Sequence, residues 1–308
     1  MSLALALYNF SLTDQSPLLQ YRPFRDGPLE TSWNVSYSAN TNLAWEPGDY
    51  PDAFVSSYTT QLVGASVELE WTGTAIWFYG LADPAAYDVQ LDGSSAIAGA
   101  GTNSSDGTLF SLTDLEYGLH SVTLTVVKAP VTVLGATITV GLGETGSILE
   151  TRNISAVTNN IPPTANPMFS SNGDYWTVNS SYAYDNTTES YPRVVTDMQS
   201  ASLTFLLNST VGFAILGSCD YDHGAYNVTL DPPPPDGFVG SMQYNASSHW
   251  IALNEIKYLA TGMDRTQNYT VTVTNMQKAV FDLAQVMLFD AVPPYVNSVH
   301  SQPRSNAC

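Results

Sequence analysis

Basic residues are scarce in this chain of 308 amino acids. It has 9 lysines and arginines against 28 aspartates and glutamates, which gives a formal net charge of −19. Proteins that hold nucleic acid do so with clustered lysines and arginines. The composition therefore predicts no nucleic-acid partner. Only 12% of the residues are charged, against about 25% in an average protein, so the polar surface must consist mainly of neutral side chains.

Cysteine is equally rare, since the chain has only Cys219 and Cys308. Two cysteines cannot form a disulfide framework or a cysteine-based zinc site. In one interpretation they pair with each other. In the other, Cys219 is a buried thiol and Cys308 is free at the end of a flexible tail.

Long apolar runs are also missing. No stretch of 18 apolar residues occurs, so the sequence predicts no membrane span. The apolar stretch 3–7 is too short for a signal peptide and no basic residue precedes it. Either the true beginning of the protein is missing or this stretch is the first strand of the fold.

Asn-x-Ser/Thr sequons are abundant, and ten occur in the chain. Such sequons mark exposed surface in secreted proteins. Together with the low lysine content they predict an extracellular or cell-surface glycoprotein. The predicted glycosylation sites are Asn9, Asn34, Asn103, Asn153, Asn179, Asn186, Asn208, Asn227, Asn245 and Asn268.

Short runs rich in β-branched and aromatic residues recur between clusters of Gly, Pro, Asn and Asp, a pattern typical of an all-β fold. Apolar and polar residues alternate from His120 to Val126, which places one side of that strand in a core and leads us to expect His120 on the outer side. Further strands are predicted at 66–71, 74–79, 87–91, 108–112 and 131–140.

The second half of the chain repeats the plan of the first. Residues 65–69 correspond to 201–205, and residues 87–92 correspond to 226–231. The offset between such pairs only grows along the chain, as it does in two diverged copies of one domain. We therefore expect two tandem β-sandwiches. The predicted divisions are an N-terminal segment 1–29, a first sandwich 30–150, a second sandwich 151–292 and a flexible tail 293–308.

Three segments of the first copy, 72–80, 87–93 and 117–124, carry a resemblance to a known group. They resemble tandem galactose-binding-domain-like ectodomains from secreted or single-pass surface proteins of mushroom-forming fungi. The resemblance implies a jelly-roll sandwich for each copy and carries no catalytic signature. Members usually end in a transmembrane helix and a cytoplasmic tail, which this sequence lacks.

The densest group of potential metal ligands lies at Asp220, Asp222 and His223. Calcium takes six to eight oxygen ligands, so two acids fall short, and a solvated turn is the alternative interpretation. The run 141–146 matches G-x-G-x-x-G, but no amphipathic helix follows it. H-E-x-x-H and G-x-S-x-G are absent. The sequence predicts no catalytic residue, no metal site and no cofactor.

Aromatic residues in predicted loops are the strongest pointer to a ligand, because sugars stack on aromatic rings and hydrogen-bond to neutral polar groups. The chain has 6 tryptophans and 18 tyrosines. The candidate ligand-binding residues are Trp45, Tyr50, Tyr184, Tyr221, Asp222 and His223.

These observations favour a noncatalytic extracellular recognition module that binds carbohydrate or cell-wall polysaccharide. The first alternative is a structural or adhesive cell-surface ectodomain without a small ligand. The second is a hydrolase acting on polysaccharide, which would need two carboxylates about 5 to 9.5 Å apart.

Overall fold

Antiparallel strands make up most of the described chain, with one short 3-10 helix at Pro84–Ala86. The computed structural model describes residues 5–37, 56–95, 97–98, 107–128, 130–184, 187–233 and 241–292. Among these residues, no helix is long and apolar enough to cross a membrane.

Eleven strands come from the first half of the chain. They are β1 (Leu5–Thr13), β2 (Gln20–Arg22), β3 (Asn34–Tyr37), β4 (Ser56–Thr60), β5 (Ser66–Gly73), β6 (Ala75–Ala82), β7 (Tyr87–Leu91), β8 (Ile97–Ala98), β9 (Thr108–Leu112), β10 (Gly118–Val126) and β11 (Val131–Glu144).

Twelve strands come from the second half. They are β12 (Ile148–Ser155), β13 (Ser170–Ser171), β14 (Thr177–Tyr184), β15 (Thr187–Thr196), β16 (Ser202–Asn208), β17 (Gly212–Cys219), β18 (Ala225–Asp231), β19 (Ser241–Asn245), β20 (Ala252–Thr261), β21 (Asn268–Asn275), β22 (Phe281–Leu283) and β23 (Gln285–Val292).

Each half forms a β-sandwich, and one sheet of each has the same strand order. In the first, a sheet β3-β4-β11-β6-β9, with β1 alongside β11, faces the sheet β2-β5-β10-β7-β8. In the second, β12-β23-β17-β20 and the hairpin sheet β14-β15-β22 face β13-β16-β21-β18-β19. The prediction of an all-β chain is confirmed, and the sheets divide between the two halves of the chain as two tandem sandwiches require. The jelly-roll, galactose-binding-like type of each sandwich stays a prediction.

The correspondence between the halves extends to the register of the strands. The sheets β2-β5-β10-β7-β8 and β13-β16-β21-β18-β19 show this most clearly. The three central strands of each carry a row of apolar residues opposite one another, and these rows occupy equivalent places in the two copies. The rows are Val67, Leu124 and Val89 in the first sandwich and Leu203, Val273 and Val228 in the second.

The strand pairing bears on the predicted divisions of the chain, which stay a prediction. β1 pairs with β11 and β2 with β5, so the strands of the segment 1–29 lie in the sheets of the first sandwich. The chain changes from the first set of sheets to the second between Glu144 and Ile148, slightly before residue 151. The tail 293–308 lies outside the described residues.

Alternation along β10 produces its buried face, with Val122, Leu124 and Val126 packed in the core. The expectation for His120 was wrong, because its side chain lies on this same buried face. Its Nδ1 is 2.8 Å from Asp92 Oδ2, and its Nε2 is 2.7 Å from the Glu116 carbonyl oxygen. Both ring nitrogens therefore have partners, which makes burial of a histidine tolerable.

The two sandwiches pack against each other, and one cluster of buried apolar side chains runs through both. Phe10 and Phe289 meet edge to face, with ring centroids 5.1 Å apart. The hydroxyl of Thr13 donates to the Glu255 carboxylate at 2.9 Å. The segment after β1 therefore lies directly on the second sandwich, and this position creates a cleft between the two.

Candidate functional site

The loop between β17 and β18 carries three of the predicted ligand-binding residues. Tyr221 is 57% exposed, and the Asp222 carboxylate also faces solvent. His223 is buried, contrary to its prediction as a ligand contact. Its Nδ1 is 2.8 Å from Asp222 Oδ1, and its Nε2 is 3.2 Å from Ser218 Oγ. Only Tyr221 and Asp222 are thus available to a ligand at this place.

The other predicted aromatic residues cannot be placed near this loop from the described part of the chain. Trp45 and Tyr50 lie outside the described residues. Tyr184 ends β14, and its side chain is also outside the described part. Their roles as ligand contacts stay predictions.

Beneath the loop lies a cluster of charges that the sequence analysis did not identify. Asp282 is fully buried, and its carboxylate lies 2.6 Å from Lys257 Nζ and 3.1 Å from Arg193 Nε. Burial opposes its ionisation, but the charge of Lys257 and the nearby His223, whose Nε2 is 3.7 Å from Asp282 Oδ1, hold the pKa of Asp282 well below its usual value. Buried ions require such partners. One signal was present, since Lys257 and Asp282 each interrupt an apolar run.

A chain of hydrogen bonds joins Ser218 to His223 and His223 to Asp222, in the order of a serine hydrolase triad. In such a triad the serine faces the substrate and the aspartate is buried, whereas here the serine is buried and the aspartate faces solvent. Ser218 is fully buried, and its hydroxyl donates to Asp282. The member in contact with solvent is Asp222, with a side chain 44% exposed. A nucleophile must reach its substrate, so this serine cannot attack a polymer from where it lies. The geometry assigns these residues to the stabilisation of the second sandwich.

Asp220, Asp222 and His223 also converge as potential metal ligands, with one ligand atom of each within 4.8 Å of the others. The Asp220 carboxylate already accepts hydrogen bonds from the Tyr182 hydroxyl and, at 2.7 Å, the Tyr221 amide. Burial raises the pKa of Asp220, which opposes the charge a cation would need. Two carboxylates supply fewer oxygens than calcium takes.

A larger concave feature lies between the sandwiches, and we call it the inter-sandwich cleft. Residues of 17–26 from the first sandwich form one wall. Residues of 243–247, with Ala225 and Gln277, form the wall from the second. Its volume of about 570 Å³ falls within the range of small-ligand sites.

The inter-sandwich cleft combines an exposed ring with neutral hydrogen-bonding groups. Phe24 is 66% exposed at its edge. The neutral residues Gln20, Gln243 and Gln277 line it, although the Gln277 Oε1 already accepts a hydrogen bond from the Ala225 amide at 3.1 Å. The charged residues of the lining are Arg22, Arg25 and Asp26. Sequence reasoning missed this site because no local pattern indicates that the segment 17–26 meets the segment 243–247 across the two copies.

The structure places eight of the ten predicted glycosylation sites, and the other two, Asn103 and Asn186, lie outside the described residues. Asn34 and Asn227 are half-buried, and the Asn34 side-chain amide donates to the Gly27 carbonyl at 3.0 Å. The exposed asparagines are Asn9, Asn153, Asn179, Asn208, Asn245 and Asn268.

Comparison with known proteins gives structural similarities alone, because no family model and no curated protein matches the chain. A Paenibacillus xanthan lyase is 12% identical, with 84% of this chain and 26% of the lyase covered and a TM-score of 0.30. The tandem CBM22-1–CBM22-2 domain of Paenibacillus barcinonensis Xyn10C is 10% identical, with 95% and 99% covered and a TM-score of 0.25.

A truncated AlyQ with CBM32 and alginate lyase domains is 9% identical, with 94% of this chain and 100% of AlyQ covered and a TM-score of 0.22. At TM-scores of this size the likenesses carry no inference about function. This chain spans about a quarter of the xanthan lyase, so that enzyme's activity is not transferred to it.

Proposed function

We propose that this protein is a noncatalytic extracellular recognition module that binds carbohydrate, such as cell-wall polysaccharide, in the inter-sandwich cleft. The observation that carries the proposal is the lining of that cleft, which joins the exposed Phe24 ring to three glutamine side chains. An aromatic ring offers a face to sugar C–H groups. A neutral amide can donate hydrogen bonds to sugar hydroxyl groups and accept hydrogen bonds from them.

The same lining argues against a hydrolase. Glycoside hydrolysis uses two carboxylates on either side of the scissile bond. Asp26 is the single carboxylate among the described residues that line the inter-sandwich cleft. A polysaccharide-acting enzyme therefore ranks below a binding module.

The setting that fits this function is outside the cell or at its surface, as for the fungal ectodomains that the sequence resembles, with glycans on the exposed sequons outside the cleft. The alternative is a structural or adhesive ectodomain that binds no small ligand. The net charge of −19 supports that alternative, because such charge keeps neighbouring molecules apart.

A glycan array, probed with protein secreted from a eukaryotic host with and without calcium, tests the proposal. We expect selective binding that weakens about tenfold in Phe24→Ala through loss of ring contacts. Tyr175→Ala is the matched control, because it removes an exposed ring outside the cleft lining. The double variant Tyr221→Ala, Asp222→Ala tests the loop predicted from the sequence.

The outcomes separate the hypotheses. Loss in Phe24→Ala alone supports the inter-sandwich cleft. Loss in the double variant alone keeps the function and moves the site to the loop at Tyr221. If no glycan binds, the structural ectodomain becomes the better explanation.

A further inference from the structure

The inter-sandwich cleft differs in charge from the rest of the molecule. Nine cationic side chains serve the whole chain, whose net charge is −19. Two of them, Arg22 and Arg25, line this one cleft, against the single carboxylate of Asp26. The lining is therefore net positive on an acidic protein, which is an arrangement that attracts an anion.

Arg25 is held rigidly at the base of this positive patch. Its guanidinium lies over the rings of Tyr21 and Tyr58, at 5.5 and 5.3 Å from their centroids. One Nη donates to the Asp14 carbonyl oxygen at 3.1 Å. Cation–π contacts on two rings fix the plane of the group before any ligand arrives.

The hydrogen-bonding capacity of Arg25 is largely unused by the protein. A guanidinium has five N–H donors, whereas its only hydrogen bond within the described chain is the one to Asp14. Its buried Nε has no partner there. No described carboxylate lies within 4.0 Å of it, unlike Arg193 and Arg265, which are both ion-paired. The charges of Asp14 and Asp26 lie near enough to interact with that of Arg25, but they leave most of its donors without a hydrogen-bond partner. A planar cation with such spare donors at the lining of a cleft is suited to an oxyanion.

Arg22 stands above it at the rim of the cleft. Its side chain is 64% exposed and lies 3.7 Å from Glu68. An exposed pair at that distance contributes little energy, so Arg22 can turn to a ligand at small cost.

We infer that the inter-sandwich cleft selects a monoanionic sugar, with the anionic group bound by Arg25 and Arg22 and the ring placed against Phe24 and the glutamines. The chemistry is shared by uronate residues and by sulfated residues. This inference rests on the proposed function and names the class of glycan that the same cleft takes.

Binding of matched polymers measures the selectivity. Oligogalacturonate is compared with its carboxyl-reduced neutral form, and dextran sulfate with dextran, by calorimetry at low and high salt. We expect the wild-type protein to bind an anionic member about 10- to 100-fold more tightly than its neutral partner, since hydrogen bonds to charged groups are of that strength. The preference should shrink as salt rises.

Substitutions locate the effect. Arg22→Gln removes an exposed charge and tests the inference even if Arg25→Gln fails to fold. Arg25→Lys keeps the charge but removes the planar fork, so part of the preference should remain. Arg152→Gln is the control, because Arg152 is exposed on β12 and does not line the cleft.

Each result has a distinct meaning. Preference for either anion, reduced in Arg22→Gln or the Arg25 variants and kept in Arg152→Gln, supports the inference, and the preferred polymer identifies carboxylate or sulfate. Equal binding of charged and neutral forms, lost in Phe24→Ala, overturns the inference while the proposed function stands. A preference unaffected by the Arg22 and Arg25 variants overturns it as well. Failure to bind any of these polymers overturns the inference, and the proposed function falls with it only if the glycan array also shows no binding.

Discussion

Replacing Glu255 by glutamine should remove a pH-dependent weakness at the contact between the two sandwiches. Glu255 lies on β20 and is only 8% exposed. Its sole described hydrogen-bond donor is the Thr13 hydroxyl, which is 2.9 Å from both carboxylate oxygens and has one proton to give. Burial therefore raises the pKa of Glu255 from 4.5 to about 7.

The direction of the effect follows from proton linkage. Between pH 4.5 and 7 the native protein holds the proton of Glu255 and the unfolded chain does not. The free energy of unfolding therefore falls as pH rises through this window. A pKa difference of about 2.5 corresponds to about 3 kcal/mol at 1.36 kcal/mol per unit. Glutamine carries no proton to lose, so the variant should lack this contribution.

Urea-induced unfolding of wild-type protein and Glu255→Gln, at pH 4.5 and pH 7.5, measures the difference. Relative to wild type, the variant should be about 3 kcal/mol more stable at pH 7.5 than at pH 4.5. Asp14, whose pKa burial raises to about 6, titrates in the same range, and its charge adds to the raised pKa of Glu255. The same comparison in an Asp14→Asn background therefore isolates the contribution of Glu255.

Glu150→Gln controls for the change of net charge, because Glu150 is exposed on β12. If the stability difference between wild type and Glu255→Gln is the same at both pH values, the argument from burial is wrong.

Three further predictions concern the second sandwich, the free thiol and the sequons. Asp282→Asn should lower the free energy of unfolding by about 3–5 kcal/mol in urea titrations, because Lys257 would stay buried without its counter-charge. Burial raises the pKa of Cys219 to about 12, so in a Cys308→Ser variant a thiol reagent at pH 8 should modify it only after unfolding. Peptide mapping of secreted protein should find Asn34 unmodified, because its amide nitrogen is engaged with a backbone carbonyl. The described sequons expected to carry glycan are the exposed ones outside the inter-sandwich cleft, Asn9, Asn153, Asn179, Asn208 and Asn268, whereas Asn245 lies in the wall of the cleft and should stay unmodified if the cleft binds a ligand.

Each of these predictions has a control and a contrary result. Asp290→Asn breaks an exposed pair with Arg265 and should cost about 0–1 kcal/mol; an equal cost for Asp282→Asn would contradict the buried cluster. Rapid labelling of Cys219 in native protein would contradict its burial. Full occupancy of Asn34 would show that its hydrogen bond does not protect it.

Local patterns in the sequence were enough to locate strands. The predicted strands 87–91 and 108–112 coincide with β7 and β9, because a half-buried strand needs alternation over only a few residues. His120 was misplaced for a related reason. The sequence showed that apolar and polar residues alternate along β10. Whether His120 points to the buried face of that strand depends on the sheet that packs against it.

The sequence predicted only part of the candidate site, because contacts between distant strands decide which side chains are buried. His223 is an example. Asp222 and His223 are adjacent in the chain, yet one faces solvent and the other is buried against Asp282. Asp282 comes from a strand about 60 residues later, and no short-range pattern joins the two.

The sequence by itself determined the all-β class, the repetition of one plan and the acidic, sequon-rich surface, since composition and period-two alternation are properties of short segments. Only the tertiary structure decided that the segment 17–26 lies against the second sandwich and that Arg25 and Gln243 line the same cleft. That arrangement depends on the packing of two complete sandwiches, in which buried groups such as Phe10 and Phe289 meet. The complementarity of such surfaces arises only after both copies have folded.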